Sequence, residues 1–280
     1  MKNLGALGRF FFAIAIIAFG LQHLVYLKFV TRLIPMMPSW IPAHPFLAGV
    51  FGVFLITTGV MIIFGKAARP AALLLGAVNL VSFIVLYLPL LIPDFGNGGL
   101  WASSGKSIAI GGGSFLVAGG LPVKLNHKTA QLYRLLMPLE IFIRPAPYFL
   151  SYFLILCGFL HFVYVEIVAD LVPSWIPGHL FWAYFAGVAL AAGGLGMIIR
   201  QTSRLAATLT GLMISFWIVL LHIPRAAADL RDSNETTAVF EALAISGAAF
   251  LIAAMPRKIE LKVKPELERN VSAPGIIRSG

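Results

Sequence analysis

The heptapeptide Pro38-Ser39-Trp40-Ile41-Pro42-Ala43-His44 returns as Pro173-Ser174-Trp175-Ile176-Pro177-Gly178-His179, identical at six of seven positions and 135 residues further along. Upstream of each copy lies a second shared pattern, Gly20-x-x-His23-x-x-Tyr26 and Gly158-x-x-His161-x-x-Tyr164, offset by 138. Downstream, Gly52, Gly59, Arg69, Gly76 and Pro89 match Gly187, Gly194, Arg204, Gly211 and Pro224 at a constant 135. Whatever unit this chain folds into, it folds into it twice. The three-residue difference falls in the first loop, where Ile34-Pro35-Met36-Met37 lengthens the first copy.

The runs between these markers decide the fold class. They are apolar over roughly 20 residues, enough for a helix to cross a ~30 Å hydrocarbon core. They do not alternate as the short segments of a membrane β-barrel would. With 59% hydrophobic and 11% charged residues, the chain has too little polar surface for a soluble fold of its size. The expected class is all-α, a polytopic membrane protein of eight transmembrane helices in two parallel-repeat four-helix bundles. The spans fall at about 9–27, 46–65, 71–92, 107–123, 148–168, 180–199, 205–224 and 238–255. The units are 1–123 and 147–255, joined by a linker, 124–146, and followed by a basic tail, 256–280. Lys2 and Arg9 before an apolar run resemble a signal peptide. The equivalent run from Tyr148 to Val168 lies mid-chain, so the first run is read as a retained helix.

Net charge +10 does not indicate nucleic acid, because the basic residues fall in loops and tails. Sixteen of the 21 lysines and arginines lie on one side of the expected topology. Lys28, Arg32, Lys106, Arg225 and Arg231 lie on the other. The positive-inside rule then places both termini and the linker in the cytoplasm of a bacterial inner membrane. Both heptapeptides face outward. The linker, with Leu132, Leu135, Leu136 and Met137 among its charges, reads as an amphipathic helix on the inner surface. The glycines of spans 4 and 6 mark faces where helix backbones approach closely.

Candidate chemistry clusters at the outer ends. His23 and Tyr26, like His161 and Tyr164, are three apart and share a helix face. Ionisable groups at membrane depth mark sites by default. Two readings stand side by side: a histidine that holds the loop by a hydrogen bond, or one that lines a ligand or quinone pocket with Trp40, His44, Trp175 and His179. Trp40 and Trp175 also suit the headgroup level as anchors. His222 aligns with Tyr87, which leaves no second histidine for bis-histidine haem ligation. The single cysteine, Cys157, excludes a dithiol pair within the chain. No metal, flavin or nicotinamide fingerprint is present. Three aligned pairs are basic in the first copy and acidic in the second: Lys28 with Glu166, Arg32 with Asp170, and Lys106 with Glu241. Such pairs could join the halves across a pseudo-two-fold axis.

A Gly-x-x-His-Phe near the end of a first span, then Val-Pro-Ser-Trp-Ile-Pro and a glycine-bearing second span, resembles the DoxX family. Residues 158–194 match best, and residues 20–59 are a looser copy with Leu24 in place of the phenylalanine. The resemblance implies a tandem of two DoxX-like units and a membrane subunit or binding module of a redox system. It also implies contact with a quinone, and another redox protein as partner besides the lipid bilayer. A quinone-reactive oxidoreductase using the same residues is the competing expectation. A small-molecule carrier is disfavoured by the lack of broken helices around a buried carboxylate.

Overall fold

The structure is a computed structural model that describes residues 2–30, 32–34, 44–123, 127–229 and 233–255. All regular structure among them is helical. Seven helices among the described residues are long and apolar enough to cross a membrane. In chain order the elements are α1 (Lys2–Tyr26), α2 (His44–Phe64), α3 (Ala68–Ser82), α4 (Leu88–Leu91) and α5 (Gly98–Gly119). After a short α6 (His127–Leu136) come α7 (Ala146–Val163), α8 (Val165–Asp170), α9 (His179–Ile198), α10 (Ser203–Trp217), α11 (Ile223–Ala228) and α12 (Ser233–Ala254).

Two of the spans are composite. A π-helical turn, Phe83–Tyr87, joins α3 to α4, and another, Ile218–His222, joins α10 to α11. Each ends two residues before a proline, Pro89 or Pro224. Proline has no N–H to continue the ladder, and its ring clashes with the carbonyl four residues back, so the widened turn makes room without breaking the rod.

The packing order places α5 and α12 side by side at the centre. α1 packs on α2 and α12, while α7 packs on α9 and α5; α3 leans on α5, and α10 on α12. Each half is thus completed by the last long helix of the other. The α12 span is 78% buried, against 28–44% for the other six. α5 is equally enclosed, from Ser104 to Ala118, but its Ser103-Ser104-Gly105-Lys106-Ser107 stretch makes it less apolar than the seven.

Glycine sets these distances. A Cβ on Gly52 would sit 2.8 Å from the Gly20 carbonyl oxygen, and one on Gly158 would sit 2.7 Å from that of Gly187. Gly76 accepts the ring of Phe115, as Gly211 accepts that of Phe250. Small residues let backbones touch, which is where helix association gains its dispersion energy in lipid.

The linker forms α6 and a 3-10 turn, Met137–Phe142. Tyr133 and Ile143 are buried against the bundle. Arg69 Nε donates to Glu140 at 2.8 Å, and its Nη1 donates to the carbonyls of Ala118 (2.9 Å) and Leu121 (2.6 Å) at the end of α5. Arg204 donates to Met255 O at the end of α12. Both cations sit where the helix dipole is negative. Burial, reinforced by its hydrogen bond to Glu140, pushes the Tyr133 phenol up to about 12, so it donates to that carboxylate at any ordinary pH.

The structure extends two expected spans and breaks a third. α5 begins at Gly98 rather than near 107, which moves Lys106 from an outer loop into the helix. α12 begins at Ser233 rather than near 238. The span expected at 148–168 instead breaks at Tyr164, whose φ of −115° and ψ of 36° separate α7 from α8.

Candidate functional site

Lys106 and Glu241 occupy matching positions on the two central helices. Lys106 Nζ donates to Glu241 Oε1 at 2.8 Å, and the side chains are 11% and 8% exposed. Arg32 donates to the other carboxylate oxygen, Oε2, at 2.9 Å through Nη2 and 3.2 Å through Nε. Each charged helix residue lies eight positions past its helix's first residue, so ~12 Å in from that end of the bundle. Two cations and one carboxylate therefore share a site about a third of the way into the bundle from the end where α5 and α12 begin. The expected pairing across the halves holds for Lys106 and Glu241. Arg32, however, turns to Glu241 rather than Asp170. Lys28 and Glu166 are both exposed and form no ion pair among the described residues.

The segment after α1 dips to reach this site, held at three points. His23 is fully buried; its Nδ1 donates to Phe19 O at 2.7 Å and its Nε2 accepts from Val30 N at 3.4 Å. Phe29 and Phe51 meet its ring edge-on. Tyr87 donates to Leu33 O at 2.9 Å. Arg32 is the third tie. His23 thus holds the loop, through its N–H rather than a carbonyl, with both ring nitrogens engaged.

Gln22 and Thr237 lie nearer that same end, Thr237 one turn before Glu241. The Thr237 hydroxyl is 2.6 Å from Ser233 O and 3.1 Å from Gln22 Oε1, with one proton to share. Gln22 is 7% exposed, and its Nε2 has no hydrogen-bond partner among the described residues. Turning the amide over would let nitrogen donate to Thr237 and leave the oxygen unpaired. Either way one end of a buried amide is unmatched, a cost of ~1–3 kcal/mol that a ligand group would remove. His222 sits within electrostatic reach of Glu241 and Arg32, and Arg225 pairs with Glu235 at the rim at 2.6 Å.

The other candidate residues are dispersed. Tyr26 is 39% exposed at the end of α1. His44 begins α2, and its Nε2 is buried without a hydrogen-bond partner among the described residues. Trp40 lies outside the described residues. His161 repeats the His23 geometry, Nδ1 to Cys157 O at 2.7 Å, with no second partner among the described residues. Tyr164 does not share its helix face, because the helix has broken. Instead its hydroxyl accepts from Gly98 N at 3.2 Å, at the start of α5. Trp175 is 66% exposed, and His179 begins α9 half-buried. The His23 and His161 groups lie on opposite sides of the α5–α12 pair and form no joint site. Tyr164→Phe removes one partner of the Gly98 N–H and is expected to cost about 1 kcal/mol, read as a lower thermal midpoint in detergent.

Gln22 and Thr237 were missed in the sequence because neither has a polar counterpart in the other copy. Leu160 and Ala102 stand at the matching positions. That departure from the repeat was the available signal.

Among known proteins, a family described as a domain of unknown function, DUF8561, matches residues 150–254, from α7 to the end of α12. No curated protein and no solved structure matches. Among the described residues no group of three or more His, Cys, Asp or Glu is placed to hold a metal ion.

Proposed function

We propose that this chain is an eight-span protein of the bacterial inner membrane, with both termini cytoplasmic and α5 as the eighth span. Its two DoxX-like units share their central helices, and it serves as a binding module or membrane subunit of a redox system. The observation that carries the reading is the buried Arg32–Glu241–Lys106 cluster with the unmatched Gln22 amide beside it. Intramembrane charges are costly, and their retention together with an unsatisfied polar group favours a binding role over simple packing.

The donor set suits a quinone. Its carbonyl oxygens accept, which the Gln22 amide nitrogen and the half-exposed Arg32 can meet; the reduced form offers a hydroxyl to the amide oxygen. The ring and tail are apolar and match the surrounding spans. The resemblance to DoxX proteins supports the redox setting, and the charge asymmetry supports the orientation.

Binding of a short-chain benzoquinone to the purified chain tests this. Wild type is expected to bind, and Gln22→Leu to weaken binding at least tenfold while leaving the thermal midpoint unchanged or raised. Unchanged binding in the variant would sink the proposed site. Turnover of the quinol by the purified chain alone would instead favour an oxidoreductase.

A further inference from the structure

At the opposite end of the bundle, α1, the α2–α3 turn, the end of α5 and the linker enclose a cavity of about 180 Å³. Its lining includes Arg9, Arg69, Gly65, Ala67, Pro122 and Tyr133. The α2–α3 turn is bent by positive φ at Gly65 (73°) and Ala67 (50°), which turns the first residues of α3 toward the cavity with no side-chain cap. Arg69 is nine-tenths buried; its Nε and Nη1 are engaged, but its Nη2 makes no hydrogen bond among the described residues. Glu140 offsets its charge. Arg9 has no acidic partner among the described residues, so the cavity carries about one net positive charge.

A second space of about 410 Å³ opens beside it, along α1 and α2, lined by Ala6, Leu7, Phe10 and Ile63 with Arg9 again at its edge. Leu7 and Phe10 are 40% and 49% exposed. One arginine therefore joins a cavity that holds two guanidinium groups, near the end of the bundle, to an apolar groove running along the spans. That is the shape and polarity of a phospholipid with a net negative head group. A free phosphate would use the cavity alone, and a zwitterionic lipid brings a cation to an already positive site.

We infer that the Arg9 cavity and the adjoining α1–α2 groove hold an anionic phospholipid of the inner leaflet. The phosphate meets Arg9 and Arg69 Nη2, and an acyl chain lies along Leu7, Phe10 and Ile63. The site rests on the membrane-spanning reading but not on the quinone, which belongs to the other end of the molecule. It is particular to the first half of the chain: Pro147 stands where the repeat would place a second Arg9.

The test uses the full chain, delipidated in a neutral detergent, with binding read by native mass spectrometry and thermal midpoint. The probes are dioleoyl phosphatidylglycerol, dioleoyl phosphatidylcholine and inorganic phosphate. Phosphatidylglycerol is expected to bind at least tenfold more tightly than phosphatidylcholine, and millimolar phosphate to leave the midpoint unmoved. Arg9→Gln should erase that preference, and Arg9→Lys should keep most of it. Equal affinity for the two lipids, an unchanged preference in Arg9→Gln, or phosphate matching phosphatidylglycerol would overturn the assignment. Should Arg9→Gln not purify, Phe10→Ser at its half-exposed position serves instead. It should weaken both lipids at least threefold, and unchanged binding there would equally overturn it.

Discussion

Lys106→Met or Glu241→Leu alone is expected to cost about 3–5 kcal/mol of stability, because each leaves a charge buried without its partner. For Glu241→Leu the loss is the larger, since one carboxylate answers both Lys106 and Arg32. The double substitution Lys106→Met/Glu241→Leu should recover most of it: a buried ion pair replaced by apolar groups of similar volume is often neutral or stabilising. Arg32 then remains, but its side chain is 36% exposed and can hydrate. Arg32→Gln by itself is accordingly expected to cost under about 1 kcal/mol. Thermal midpoints of wild type, the two single variants and the double variant in one detergent form a double-mutant cycle. Additive losses from the two single substitutions would refute a direct pair at the α5–α12 contact.

Gly247→Ala should be among the more damaging single methyls that can be added to the bundle. Its Cβ would fall 2.7 Å from Gly8 O and 2.8 Å from Phe12 N, both backbone atoms of α1. A side chain could rotate away, but a helix backbone cannot, so α1 and α12 must separate along their contact. Overpacking typically costs about 1–3 kcal/mol, and here the upper end is expected. Gly247→Leu should prevent assembly. Gly49→Ala is the control, since nothing lies within 4 Å of its Cβ position, and it should be neutral or slightly stabilising. Comparable midpoints for Gly247→Ala and Gly49→Ala would mean that α1 and α12 do not pack as closely as described.

The two predictions probe different parts of one design. In lipid there is no hydrophobic force between helices, so close backbone contact and polar pairing must specify the arrangement. Glycine supplies the first along α1–α2, α7–α9 and α1–α12. The Lys106–Glu241 pair supplies the second where the halves meet. Two lysines or two glutamates at that contact would repel. The unlike residues at matching positions are what allow the central helices to lie together.

Much of this was legible from residues alone. The apolar runs required helices because a backbone without water must satisfy its own hydrogen bonds. The heptapeptide and glycine offsets implied two like units, and the charge reversal at Lys106 and Glu241 pointed to their pairing. The extent of α5 was not legible, since Ser103-Ser104-Gly105-Lys106 reads as a polar loop. Lys106 lies buried in the helix because a neighbouring helix brings the Glu241 carboxylate, and that neighbour is 135 residues away. The break at Tyr164 was hidden for a similar reason. Its hydroxyl is held by the start of α5, a contact outside the local sequence. Gly-x-x-His-x-x-Tyr specified a face only as far as the helix continued, and the tertiary structure decided where it ended. Local apolarity determined that these segments are helices, seven of them among the described residues long and apolar enough to cross a membrane. Which polar groups are buried, and against whom, depended on the order in which the helices close on one another.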